Sequence, residues 1–549
     1  MEIKLYMLGR RKENMRKNNL WKRGIAVAVA SVMLFSLAAC GNSAGKTSEE
    51  TKQDEQIETN AEKVLNVGVS VIKDVPFNPC MFGTNGEQFV PLYDSLIALE
   101  DGKFVPCLAK EWNLSEDKTS MTMTLRDDVY FHDGTKMTSA DVKFTFEYCS
   151  GENAAHSETK KYQKYIDAIE TKDEQTVVFH FTQPCTEFEY IFSNSSNFGG
   201  IILPKDYFEK VGEEGYAAAP IGTGPFKLES FEPGVQMVYT ANENYWKGAP
   251  KYDKLVLKQI ADESTLVAEL KTGGIDFAAV NENSVTALEG VAGVSIDRVP
   301  YNSSCGLFMD GTYKETGAAT QSLEIRKAMS LAVNKQEIVD SLFNGNADVP
   351  AVWGICPDTP GYDGSRKVSE YDPEQAKTLV KEAGYPDQFS NPVIKFYVSD
   401  TKSYGMDLAQ VLVGYWEKVG LEVEIIASDT PTIYGMRQKD EFAGSIFYCD
   451  PPIKYSIDDA ISMEFTSYSS FALTSGNEII DNGAKELMST EIKDRGALAN
   501  KIWDAIDAEY VSIPIVCPSQ GYGVSDKVKG WEANYGSHWS DWLYSFELN

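Results

Sequence analysis

The sequence predicts an α/β fold divided into two or three lobes. Two observations carry this reading. Segments with the two-residue period of strands alternate with segments of helical period along most of the chain. A chain of 549 residues also exceeds what one hydrophobic core usually organises.

Order is expected from Val64, where Val64-Leu65-Asn66-Val67-Gly68-Val69 alternates like a strand. Met121, Met123 and Leu125, separated by Thr122 and Thr124, predict a half-buried strand. Thr138 or Ser139 can cap a helix that carries Val142, Phe146 and Cys149 on one face. Val177, Phe179 and Phe181 mark a further strand, with His180 on its opposite face. Asn334 and Glu337 have the spacing of an N-cap and its third helical residue. Asp372 followed by Pro373 opens a helix with the stripe Ala376, Leu379, Val380 and Ala383, and Gly384 and Pro386 close it. A helix carrying Leu408, Val411, Leu412 and Tyr415 stops near Gly420, and the strand Leu421, Val423, Ile425 follows.

The amino-terminal region has a different character. Lys17, Lys22 and Arg23 precede an apolar run from Ile25 to Ala39, which is short for a membrane span and suits a secretory signal over 1–39. The run ends in Leu37-Ala38-Ala39-Cys40, which resembles the lipobox of bacterial lipoproteins. That resemblance implies diacylation of Cys40 and cleavage before it, and two acyl chains hold a protein stably at a membrane. Residues 41–63 are polar and read as a flexible tether.

Cleavage there leaves 510 residues, and since residues 1–39 carry eight basic and two acidic side chains, the remainder stands at −36. Such acidity argues against a nucleic-acid partner. The eight cysteines at 80, 107, 149, 185, 305, 356, 449 and 517 form no C-x-x-C, several sit among apolar neighbours, and a chain of this size does not need disulfides. The histidines, 132, 156, 180 and 538, form neither H-x-x-x-H nor H-E-x-x-H, so no metal site is expected. Walker patterns are absent. His132-Asp133 lacks a recognisable nucleophile and suits a structural role at a turn through Asp133-Gly134. Gly222-Thr223-Gly224 reads as a close-packed turn, since a strand-like run follows where a phosphate loop would open a helix. The chain is read as a non-enzyme that needs no cofactor.

Four blocks, in this order, resemble the bacterial extracellular solute-binding proteins of family 5. The first runs from Pro106-Cys107-Leu108-Ala109 and Trp112 through Leu125-Arg126-Asp127-Asp128-Val129-Tyr130-Phe131-His132-Asp133-Gly134 to Thr145. The second is Ile221-Gly222-Thr223-Gly224-Pro225-Phe226-Lys227 with Asn242, Asn244, Tyr245 and Trp246. The third is Ile325-Arg326-Lys327-Ala328-Met329-Ser330-Leu331-Ala332-Val333-Asn334, and the fourth runs from Tyr371-Asp372-Pro373-Glu374 to Tyr385-Pro386.

The resemblance implies a two-lobed α/β clamp of the periplasmic-binding-protein type (type II, the large three-part subclass) that closes on its ligand about a hinge. Its first lobe would comprise 64–85, 220–298 and 515–549, with an inserted subdomain at 86–219 and a second lobe at 299–514. Crossings near Arg298–Ser304 and Ile513–Ser519 would form the hinge. In peptide-binding relatives a second-lobe segment presents an aromatic wall and an aspartate to the ligand's α-amino group. The stretch here is Gly444-Ser445-Ile446-Phe447-Tyr448-Cys449-Asp450-Pro451, which makes Phe447, Tyr448 and Asp450 candidate ligand residues. By the same resemblance Thr84, Asn85 and Gly86 fall in a ligand-contacting loop, and Asn302, Ser303 and Ser304 follow the first crossing. Asp450 has an alternative reading as a turn residue before Pro451-Pro452. Arg437 is the nearest arginine for a ligand carboxylate and is expected at the surface.

The implied activity is that of a monomeric, lipid-anchored receptor at the outer face of the cell membrane. It would capture an oligopeptide or small solute for an ABC permease and its ATPase. Nickel chelates and a peptide-signal role without import are the alternatives, and a surface hydrolase is the rival from another class.

Overall fold

Two large sheets and a smaller third one carry the architecture among the described residues. The computed structural model describes residues 62–549 except 75–76, 79–86, 101, 152–156, 196–198, 310–315, 400–403, 439–442, 470–472, 474–475 and 532–542. The expectations for the signal, Cys40, the tether up to residue 61, Cys80, Thr84, Asn85, Gly86, His156 and His538 lie outside these residues.

The first sheet has the order Val294–Val299, Gln520–Ser525, Phe277–Val280, Val64–Val69, Lys254–Gln259, Gln236–Ala241, Phe226–Glu232. Val64–Val69 lies at its centre, parallel to both Lys254–Gln259 and Phe277–Val280. The alternation read from sequence puts Leu65 and Val67 into the core. The helix Glu263–Thr272 connects the two flanking strands, capped by Asp262 and ended by Gly273 in the left-handed region. It packs so close that a Cβ on Gly68 would stand 2.6 Å from Leu266.

The second sheet has the order Ala347–Asp348, Ser512–Pro518, Cys305–Met309, Ile446–Cys449, Ile394–Ser399, Val423–Ser428. Ile394–Ser399 is parallel to both Val423–Ser428 and Ile446–Cys449. Helix Pro373–Glu382 begins as read, with the Asp372 carboxylate accepting from Gln375 N–H at 2.8 Å and Ala376 and Val380 buried. Helix Gly405–Lys418 buries Leu408, Leu412 and Tyr415. Asn334 caps helix Lys335–Leu342.

The third sheet, Ala109–Leu114, Ser120–Leu125, Thr176–Phe181, Ile166–Thr171, lies under helix Ser139–Cys149. Thr138 and Asp141 form a capping box there. Of the described cysteines, 107, 185, 305, 356, 449 and 517 are free and buried. Cys149 is disulfide-bonded.

Two crossings join the large sheets. The outgoing one lies between Val299 and Cys305, and the returning one passes through Ser519. They run side by side, since Val299 pairs with Gln520 and Asn302 N–H donates to the Pro518 carbonyl at 3.1 Å. Ser512–Pro518 keeps its pairing in the second sheet through Pro518, which is opposite Ala347, so the chain returns only at Ser519.

His132 fastens two of the sequence blocks together. Its Nδ1 accepts from Gly222 N–H at 3.2 Å and its Nε2 lies 3.0 Å from the Gly224 carbonyl, so one neutral tautomer satisfies both contacts. The glycines are needed there, because a Cβ on Gly222 would stand 2.1 Å from the Leu92 carbonyl oxygen. Burial pulls the imidazole down from 6.5 to about 4. The unfolded chain therefore binds a proton below about 6.5 that the folded chain resists until about 4, and acidification across that window favours unfolding. The thermal midpoint is expected to fall as pH drops through it. His132→Ala should cost about 1–3 kcal/mol at neutral pH by leaving backbone groups unmet, and should flatten the slope. Melting curves from pH 7 to 4 check both.

Candidate functional site

Strand order sets where a ligand can sit. From Ile394–Ser399 the chain runs through helix Gly405–Lys418 to Val423–Ser428 on one side, and then places Ile446–Cys449 on the other. The carboxyl ends of Ile394–Ser399 and Ile446–Cys449 thus flank a topological switch point, where open α/β sheets leave a crevice. A small recess of about 20 Å³ opens there, lined by Ser399, Thr430, Ile433, Tyr434, Arg437, Phe447, Tyr448, Cys449 and Asp450.

Ile446–Cys449 is buried along its length. Its alternation sends Phe447 and Cys449 to one face of the sheet and Ile446 and Tyr448 to the other. Tyr448 Oη bonds Cys305 Sγ at 3.3 Å, and burial with the nearby Cys305 and Asp450 pushes the phenol far above its ordinary range. Asp450 does not sit in a turn. The backbone continues extended to Pro452, which bridges Ser303, while Ser304 N–H donates to the Pro451 carbonyl at 2.9 Å.

Phe447, Tyr448 and Asp450 therefore meet in one recess. Asn302, Ser303 and Ser304 do not line it. Asn302 is exposed at the crossing, and Ser304 is buried with its Oγ accepting from Gly354 N–H at 3.1 Å. These residues tie the outgoing crossing to the segment that follows Asp450.

Arg437 corrects the sequence reading. It is buried, because helix Thr430–Gln438 turns it inward with Ile433 one turn earlier. Its guanidinium pairs with Glu464 and lies 4.6 Å from the Phe447 ring centroid and 5.4 Å from that of Phe308. Burial opposes the charge, but Glu464 outweighs it and raises the guanidinium above its ordinary value. Ser399, Thr430, Tyr434 and Glu464 were missed by the sequence reading. The amphipathic face of Ile433 and Arg437 was the available signal for the helix.

A second constellation joins the third sheet's region to the second sheet's half. Asp459, at the start of helix Ile457–Ser462, pairs with Lys161 at 2.7 Å and Lys454 at 3.0 Å and accepts from Tyr190 Oη at 2.9 Å. Nearby, Arg495 pairs with Glu187 and donates to Thr186 Oγ1 at 2.6 Å. Lys118 pairs with Glu491 at 3.0 Å. Among the described residues no group of three or more His, Cys, Asp or Glu could hold a metal ion, and no helix is long and apolar enough to cross a membrane.

Comparison with known proteins agrees with this architecture. The family model "Bacterial extracellular solute-binding proteins, family 5 Middle" matches residues 103–450. The dipeptide-binding protein of Escherichia coli (strain K12) is 28% identical over 396 residues, covering 64% of this chain and 69% of that protein. The nickel-binding periplasmic protein of the same strain is 27% identical over 462 residues, covering 80% and 86%. Among solved structures, NikA from Brucella suis in complex with Fe(III)-EDTA superposes with a TM-score of 0.78 at 21% identity, over 88% of this chain and 100% of that one. With the family matched over more than half its length and a two-lobed fold in common with solved members, the chain belongs to the bacterial extracellular solute-binding proteins of family 5.

Proposed function

We propose that the chain is a lipid-anchored receptor that captures oligopeptides outside the cell and hands them to an ABC permease driven by its ATPase. The observation that carries the ligand class is the recess at the switch point, where Asp450 shares the lining with Phe447 and Tyr448. A carboxylate in an enclosed, aromatic-walled site favours a cationic group such as a peptide's α-ammonium. The dipeptide-binding relative supports this reading. A chelated nickel ion is the second reading, supported by the nickel-binding relative that matches 80% of the chain.

The proposed mechanism is hinge closure. The paired crossings through 299–305 and 518–520 form a narrow two-stranded waist about which the halves rotate. In this scheme the first lobe holds 64–85, 220–298 and the chain after Ser519, with 86–219 inserted, and the second lobe holds 299–518. Thr84, Asn85 and Gly86 are the ligand contacts proposed for the first lobe, while segment 302–304 ties the outgoing crossing to the strand end that carries Asp450. The receptor acts as a monomer, tethered through Cys40.

Native mass spectrometry of protein extracted from its producing cell tests anchor and ligand together. The expected result is a chain cut before Cys40 that carries acyl groups and releases a peptide on denaturation. An unmodified chain that retains residues 1–39 would refute the anchor, and a released nickel chelate in place of a peptide would refute the ligand class.

A further inference from the structure

The buried pair Arg437–Glu464 bears on which charge the recess accepts. A guanidinium enclosed by Phe447, Phe308 and Tyr434 needs an anion beside it, because burial without one is strongly unfavourable. A receptor can obtain that anion from its ligand or from its own chain. Here the chain supplies it: Glu464 pairs with Arg437, and its carboxylate is itself buried with only 9% exposure. Arg437 lines the recess whereas Glu464 does not, so Glu464 acts on a ligand through the arginine. Among the described residues, the acidic and basic side chains that meet here are Arg437, Glu464 and Asp450, one positive and two negative groups.

We propose that Glu464 is a specificity-determining residue: by neutralising Arg437 it removes the demand for a ligand carboxylate and makes the recess select a cationic group. This rests on the peptide reading above. Specificity of this kind arises by withdrawing an attraction from the wrong ligand as much as by adding one for the right ligand. Without Glu464, a ligand's carboxylate would become the counter-ion of Arg437. Without Arg437, the recess would become more negative and its preference for a cation would sharpen.

Calorimetric titration with trialanine and N-acetyl-trialanine tests this, with the ratio of the two affinities as readout. Wild type should favour the free amine. Glu464→Gln should move the ratio toward the acetylated peptide by about tenfold or more, and Arg437→Met should move it the opposite way. Opposite signs separate the proposal from loss of packing, which would weaken both peptides alike, and Arg437→Met keeps the proposal testable if Glu464→Gln does not fold. A ratio that stays fixed, or moves in the same direction in both variants, overturns the inference while leaving the peptide reading intact. Wild type that binds neither peptide removes the peptide reading and this inference with it.

Discussion

Replacing Arg495 by methionine is expected to destabilise the protein by about 3–5 kcal/mol, because it strands a buried carboxylate. The arginine and Glu187 are only 2% and 5% exposed, and the guanidinium also donates to Thr186 Oγ1 and the Thr490 carbonyl. Methionine replaces the stem of the side chain but none of these contacts. The Glu187 carboxylate then stays enclosed near Asp458, whose own carboxyl is pushed up to about 7 by burial and by Glu187. The double variant Arg495→Met/Glu187→Gln should lose much less, since no charge is stranded. Denaturant unfolding of wild type, single and double variants checks the ordering. If the single variant were no less stable than the double, the pair would contribute nothing. The same pair joins the region of the third sheet to the second half of the molecule, so the single variant should also open the clamp more readily.

Asp450→Asn is expected to weaken binding of a free-amine peptide by well over tenfold, a loss of roughly 2–5 kcal/mol, while barely moving the ligand-free melting point. In a closed recess water is excluded, and removing the carboxylate leaves the ligand's ammonium enclosed without its counter-charge. The backbone supports the second half of the expectation. Asp450 lies in an extended segment held by the Ser303–Pro452 bridge and by Ser304 N–H, so the fold there rests on backbone contacts. Were the aspartate a structural residue, affinity would stay and stability would drop. Calorimetry and thermal melting of this one variant distinguish the outcomes.

Much of the fold was legible because its signals are local. Asp372 and Pro373 announce a helix by capping chemistry, and Ala376 and Val380 give its buried face without knowledge of a partner. Gly222 and Gly224 announce close packing, although the Leu92 backbone against which they pack lies far back in the chain. Phe447 and Asp450 were nominated because they share one short segment with a family resemblance. The rest of the recess depends on separation in sequence. Ser399 ends one strand, Thr430 and Arg437 share helix Thr430–Gln438, and the two elements meet at the recess only because of strand order. Arg437 read as a surface residue because Glu464, which allows it to be buried, stands 27 residues further on. Arg495 and Glu187 lie 308 positions apart, beyond any local pattern. Similarly, Ile513, Ile515 and Val516 announce a strand but not which sheet it joins.

Small-angle scattering of the ligand-free and peptide-saturated protein tests closure on a ligand most directly. The account predicts a smaller radius of gyration in the saturated sample, as the halves rotate together about the paired crossings at 299–305 and 518–520. An unchanged radius, with peptide binding confirmed by calorimetry on the same sample, would contradict it.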